Sequence, residues 1–290
     1  MISGSFVALV TPFNELEKID FFAFEQLIRW HIAEGTDGLV VAGCTGEGLS
    51  LSFEEKCTLF KTAVAVGKGK IQLIATTGTN QTAESALLTK EAKKIGVDGC
   101  MAIVPYCNKP TEEGCWLHFN EIAKVDLPLI VYHHPGRTGV RLSVKGLLQI
   151  CDIPQVVGIK DSSGDFALFN ELLRQTDTPL ISGDDHLALA QLSIGLKGVV
   201  SVVGNVVPKQ WKKFIDHALT GDLLEARKDF FDLYELCNAM SLEVNPQCVK
   251  FAVSLLGKCE PYMRLPLIEP KIENQQKIRA SLRTVELALQ

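Results

Sequence analysis

Apolar and polar positions along the chain fall into two alternating regimes. Short apolar runs occupy residues 6–10, 38–41, 71–75, 100–104, 129–132, 156–160, 180–182 and 198–202. Longer stretches lie between them, and there apolar residues return every three or four positions. Phe24, Leu27, Ile28 and His31 follow Asp20 in this way, so Asp20 is placed to cap a helix. Ser52-Phe53-Glu54-Glu55 has the spacing of a capping box. Helical spacing also covers 82–94 and a segment through Trp116 and Phe119, and Pro208 sits where a helix would begin.

Near-continuous apolar runs are what strands buried on both faces of a parallel sheet require. Their alternation with helical segments predicts βαβ units. Eight such units in about 220 residues predict a closed (β/α)8 barrel. A doubly wound sheet is the competing arrangement, but neither GxGxxG nor GxxxxGK[ST] occurs, which weakens a nucleotide-binding reading. Beyond Leu223 the strand signals stop. Helical patterns over 223–240, 246–257 and 271–288 predict a C-terminal helical region, residues 223–290, packed on a barrel of residues 1–222.

Composition narrows the function classes. The 290 residues are 47% hydrophobic and carry a formal net charge of −5, which excludes a disordered chain. The basic stripe of a nucleic-acid binder is missing: Lys68 with Lys70, and Lys93 with Lys94, are short clusters that read as solvated faces. No apolar run reaches the roughly 18–20 residues of a membrane helix. Met1 to Val10 lacks a basic start and Pro12 soon follows, so no secretory signal is expected. The nine cysteines form no CxxC pair, and free thiols in a reducing cytoplasm fit best.

In such a barrel the chemistry sits at the C-terminal ends of the strands. Those ends carry Gly43-Cys44-Thr45-Gly46-Glu47-Gly48, Tyr106-Cys107-Asn108, Tyr132 to Gly139, Lys160-Asp161-Ser162, and Gly183-Asp184-Asp185. Lys160 ends an interior strand, where desolvation would lower its pKa and free the amine to attack a carbonyl. An ion pair with Asp184 or Asp185 is the alternative. Tyr132 could relay protons or pack as a half-buried ring, and Arg137 could hold a carboxylate or face solvent. Gly43 to Gly48 could present amides to a small anion or form a tight turn. Asp184 and Asp185 could cap the following helix. His133 and His134 would point to opposite sides of an extended segment, a poor metal pair; no metal is expected.

Taken together these motifs resemble the pyruvate-dependent class I aldolase and N-acetylneuraminate lyase family. The matching residues are Gly4 to Pro12, Gly43-x-Thr45-Gly46-Glu47, Tyr132-x-x-Pro135-Gly136-Arg137-Thr138-Gly139, Gly158-Ile159-Lys160, Ser182 to Asp185, Gly198 to Val202, Glu243 to Pro246 and Arg264 to Pro266. The resemblance implies that Lys160 forms a Schiff base with pyruvate. Thr45 and the backbone at Val200 would hold the pyruvate, with Gly183 in the substrate site. Tyr132 would shuttle protons and Arg137 would bind the carboxylate of L-aspartate 4-semialdehyde. The condensation product belongs to the diaminopimelate route to lysine. No metal or organic cofactor is implied. The assembly implied is a homotetramer built from tight dimers, with the Tyr106-Cys107 loop reaching the neighbouring site. A sugar-acid or hydroxy-oxo-acid lyase of the same family, or a weakly catalytic paralogue that binds an oxo acid, stays open.

Two positions depart from the family pattern. The hydroxyl before Thr45 is replaced by Cys44, and a relay tyrosine by Cys107. Thiols are weak hydrogen-bond donors, and losing a positioned proton-transfer group costs about 10²–10⁴ in rate. Positions carried over from the lysine-inhibition site hold Asn80, Glu84 and Tyr106, together with Gly48, Leu49, Phe53 and Lys56. A Lys56 ammonium would repel a lysine ligand, so feedback by lysine is expected to be weak.

Overall fold

The computed structural model describes residues 2–288. Eight strands, β1 (Gly4–Ala8), β2 (Gly38–Val41), β3 (Gln72–Thr76), β4 (Gly99–Ile103), β5 (Leu129–His133), β6 (Val156–Asp161), β7 (Leu180–Ser182) and β8 (Gly198–Ser201), pair in sequence order. β8 returns to β1 in parallel, so the sheet closes and the doubly wound alternative falls. Helices α1 (Phe21–Ala33), α2 (Phe53–Gly67), α3 (Thr82–Ile95), α4 (Glu112–Ala123), α5 (Pro135–Thr138), α6 (Val144–Cys151), α7 (Phe166–Gln175), α8 (Ala188–Ser193) and α9 (Pro208–Thr220) follow the strands. The chain ends in α10 (Leu223–Met240), α11 (Gln247–Leu255) and α12 (Ile272–Ala288).

The local signals explain these boundaries. Asp20 accepts the Ala23 N–H at 2.9 Å and starts α1. Ser52 and Glu55 form the reciprocal capping box of α2. Pro208 opens α9, where its missing N–H is not needed. Between β5 and β6 the chain makes two short helices that periodicity did not reveal. Pro135 starts α5, and Gly139, in the left-handed region at φ 70°, ends it after one turn, too short for a repeat to show. The first strand ends at Ala8, earlier than its apolar run, because the Val10 N–H turns to the Asn205 side chain.

Successive strand residues face opposite ways. Phe6, Val40, Ile74, Met101, Ile130 and Val200 fill the bore, while Val7, Leu39, Leu73 and Val131 face the helices. The bore is filled by shape as well as polarity. A Cβ on Gly38 would lie 2.1 Å from Phe6 Cε1, so the ring occupies the space a side chain would take. The C-terminal helices continue this body: α10 packs on α9, and α12 packs on α10 and α11. Residues 289 and 290, the end of the helical region expected from sequence, lie outside the described residues.

Gly38→Ala should overpack the bore and cost about 1–3 kcal/mol, read as a lower urea midpoint with unchanged slope. Adding Phe6→Leu should recover part of the loss. An unchanged midpoint for the single variant would contradict this packing.

Candidate active site

The strand ends converge on a cavity of about 200 Å³ lined by Cys44, Thr45, Tyr132, Arg137, Lys160 and Gly183, among others. A wider space of about 700 Å³ adjoins it, shares Cys44, Tyr132 and Arg137, and extends to Tyr106, Cys107 and Lys56. Six of the eight residues expected to act in catalysis or substrate binding therefore meet in one small chamber. Cys107 lies only in the outer space. Val200 lies in the bore, and Val202 reaches the cavity wall instead.

Lys160 lines the chamber. It sits on β6 directly across from Tyr132 on β5 and is 6% exposed. Burial, opposed by the charges of Cys44, Asp184 and Asp185, lowers its pKa to about 8. Its Nζ stands 4.1 Å from the centroid of the Tyr132 ring, a cation–π distance. The Tyr132 phenol is pushed well above its ordinary range, chiefly by burial, and stays protonated. Asp184 and Asp185 act on Lys160 through space and form no ion pair with it among the described residues.

Neither aspartate caps the next helix as expected. The Asp184 side chain makes no capping bond. Asp185 instead accepts the Val202 and Val203 N–H groups at 3.0 and 2.7 Å, holding the turn after β8. Burial raises the pKa of Asp184 to about 6. Gly183 has a steric role: a Cβ there would lie 2.8 Å from Lys160 Cε and 2.0 Å from Ser162 Oγ. Only glycine leaves a path for the lysine.

The loop after β2 is a tight turn. The Gly48 N–H bonds the Gly43 carbonyl at 2.9 Å, and Glu47 adopts a left-handed φ of 53°. Glu47 turns inward to a fully buried ion pair with Lys250 of α11 and also accepts the Arg264 N–H at 3.0 Å. Thr45, on the same turn, accepts a hydrogen bond from Asn245 Nδ2 at 3.0 Å. The Asn245 carbonyl accepts from Arg137 at 3.3 Å. Asn245 thus joins Thr45 to Arg137, a link that only its place in the Glu243 to Pro246 motif could have flagged.

At the outer space, Cys107 is exposed and left-handed at φ 68°, and Cys44 is half-buried. Tyr106 has its pKa raised by burial and by the nearby Glu84, Cys44 and Cys107, while an Asn80 backbone hydrogen bond opposes the shift. Asn80, Glu84 and Tyr106 are therefore neighbours. His133 faces the helix layer and His134 lines both cavities, as alternation on a strand end requires. Among the described residues no three His, Cys, Asp or Glu side chains converge as metal ligands would.

A closed parallel barrel with one desolvated lysine in its mouth, set against a phenol, a threonine and an arginine, defines a barrel enzyme of the lyase class. The family model described as the Dihydrodipicolinate synthetase family matches residues 1–285, and the chain belongs to that family. It is 42% identical over 290 residues to 4-hydroxy-tetrahydrodipicolinate synthase of Thermodesulfovibrio yellowstonii, covering 99% of each chain. The crystal structure of dihydrodipicolinate synthase from Aquifex aeolicus is 40% identical, with TM-score 0.96 and 99% of each chain covered. The chloride-inhibited dihydrodipicolinate synthase of Acinetobacter baumannii, complexed with pyruvate, is 37% identical, with TM-score 0.95 over 99% of each chain.

Lys250→Met would strand the Glu47 carboxylate in the interior, and breaking a buried pair this way costs about 3–5 kcal/mol. Denaturant unfolding should show that loss, and Glu47→Gln added to it should restore much of the stability. A loss under about 1 kcal/mol, the scale of a surface pair, would contradict the buried role.

Proposed function

We propose that this enzyme condenses pyruvate with L-aspartate 4-semialdehyde to 4-hydroxy-tetrahydrodipicolinate through a Schiff base on Lys160. The observation that carries the reading is the buried Lys160 amine, its pKa lowered to about 8, beside Tyr132 in a cavity that also holds Thr45 and Arg137. With a pKa of about 8, roughly a tenth of this amine is unprotonated at pH 7, far more than for an ordinary lysine, and that free amine can attack C2 of the oxo acid. The carbinolamine then loses water, with the protonated Tyr132 phenol handing a proton to the departing hydroxyl. Loss of a proton from C3 gives the enamine, which adds to the aldehyde carbon of the second substrate. The amino group of that substrate closes on the imine carbon and displaces Lys160.

Binding follows from donors and charge. Asn245 donates to Thr45 Oγ1, so the Thr45 hydroxyl proton is free for the pyruvate carboxylate. The backbone at Val200 is assigned to the same end of the substrate. Arg137, on a short helix at the rim, presents a planar fork to the carboxylate of the semialdehyde. Its frame favours this acceptor over a sugar acid. Cys44 touches both cavities and occupies the relay position next to Tyr132.

We read the chain as a homotetramer of tight dimers in the cytoplasm, with residues 1–222 as the barrel and 223–290 as its helical appendage. The exposed Leu49 and Cys107, both on the outer space, support a neighbour at that face. No helix among the described residues is long and apolar enough to cross a membrane. Asn80, Glu84 and Tyr106 form a candidate amino-acid site beside it. Lys56 lines the outer space, its pKa lowered by burial while Glu84 opposes the shift.

Incubation with pyruvate and borohydride should add a pyruvyl mass to the wild type and none to Lys160→Ala. An adduct on both proteins, or on neither, would overturn the role of Lys160. Steady-state assays at sub-millimolar L-lysine should leave the rate unchanged, because a lysine ligand would meet Lys56. Clear inhibition in that range would contradict this.

A further inference from the structure

The two strands that carry Tyr132 and Lys160 are not held in register by the sheet ladder alone. β5 and β6 pair Leu129 with Val156 but Ile130 with Gly158, so the register shifts at the base of the pair. Such a shift leaves an extra residue on β6 and disrupts the ladder locally, below the Tyr132–Lys160 pair. Above the shift, Tyr132 faces Lys160 in the bore, and the next pair, His133 with Asp161, faces the helix layer.

That outward pair is buried and closely bonded. His133 Nδ1 lies 2.5 Å from Asp161 Oδ2, with side-chain exposures of 0% and 1%. The Leu142 N–H points at His133 Nε2 from 3.2 Å, so Nε2 is the acceptor and Nδ1 carries the proton given to Asp161. The other Asp161 oxygen accepts the Ser163 N–H at 2.6 Å. The backbone continues the network: the Ser162 N–H donates to the His133 carbonyl at 2.9 Å, and the Gly183 N–H to the Asp161 carbonyl at 2.8 Å. Leu142 closes the segment that begins with the Arg137 turn. One hydrogen-bonded chain therefore ties together the segments bearing Tyr132, Lys160, Gly183 and Arg137.

We propose that His133 and Asp161 are positioning residues for the reaction: their buried pair, locked by the Leu142 N–H, holds Lys160 and Tyr132 at the separation that Schiff-base formation requires. The inference rests on the reading of Lys160 as the Schiff-base residue. Neither side chain touches the cavity, so their effect passes through the strands. Displacing a reacting group by about 1 Å can cost about 10²-fold in rate.

The lock makes the substitutions informative. Asp161→Asn leaves one amide oxygen for two donors, so its NH2 meets either the Nδ1 proton or the Ser163 N–H. The ring cannot change tautomer to accept it, because Nε2–H would then face the Leu142 N–H. His133→Gln keeps an acceptor near the Nε2 position and loses the donor to Asp161. His133→Asn keeps a donor at the Nδ1 position.

The experiment measures the rate of borohydride-trapped pyruvyl adduct formation at saturating pyruvate, with kcat and KM, on each full-length variant well below its own Tm. Asp161→Asn and His133→Gln should trap about 10²-fold more slowly, with kcat reduced far more than the KM for pyruvate is changed. His133→Asn should retain most of the wild-type rate. If the first two variants fold, lose only Tm and trap at the wild-type rate, the pair is structural alone and the inference is overturned. Should Asp161→Asn fail to fold, His133→Gln against His133→Asn decides the matter by the same readout. Absence of an adduct on the wild type would instead overturn the Lys160 reading itself, and the positioning role with it.

Discussion

A protonated amine in the bore of a closed sheet is unstable relative to water, and the mouth of this barrel is arranged around that instability. Lys160 is withdrawn from solvent, its Nζ rests over the Tyr132 ring, and the nearest carboxylates act on it without pairing. A direct ion pair would have held the ammonium in place and suppressed its nucleophilicity. Instead Asp185 is committed to the turn after β8, and Gly183 clears the path of the lysine side chain. The chemistry of the site follows from which groups are kept away from Nζ as much as from those brought near.

The C-terminal helices belong to this arrangement. Lys250 of α11 meets Glu47 in the interior, and Arg264 grips Glu55 at 2.6 Å and the Ser50 carbonyl at 2.8 Å. Asn245 reaches Thr45 and contacts Arg137 through its carbonyl. The loop after β2 is thus fixed from outside the barrel. Without those contacts the Thr45 hydroxyl would lack a defined donor direction.

Much of this was legible in the chain, for reasons that differ from residue to residue. The eight strands could be read because each is buried on both sides, which forces an apolar run. Asp20, Ser52 and Pro208 could be read because capping chemistry is local. Lys160 and Tyr132 stood out because polar residues at the ends of apolar runs need a reason, and Arg137 because Pro135, Gly136 and Gly139 frame its loop. The one-turn helix α5 was not legible, since four residues contain no period. The work of Asp185 was hidden because its partners, Val202 and Val203, lie on the next strand's loop. Asn245 and Lys250 act on residues about 200 positions away in the chain, and no spacing rule reaches that far. His133 and His134 stand side by side in the chain, but only the fold shows that one bonds Asp161 on the neighbouring strand and the other faces the cavity.

Cys44 and Cys107 place only thiols, weak hydrogen-bond donors, beside the cavities, so the proposed reactivity rests on Lys160 itself. Burial holds the Lys160 amine far below the ordinary lysine value of 10.5, at about 8. Heteronuclear NMR of the lysine Nζ, assigned with Lys160→Ala and followed from neutral to alkaline pH, measures that directly. The expected midpoint is near 8, with ammonium below it and free amine above. A midpoint at or above 10.5 would contradict it.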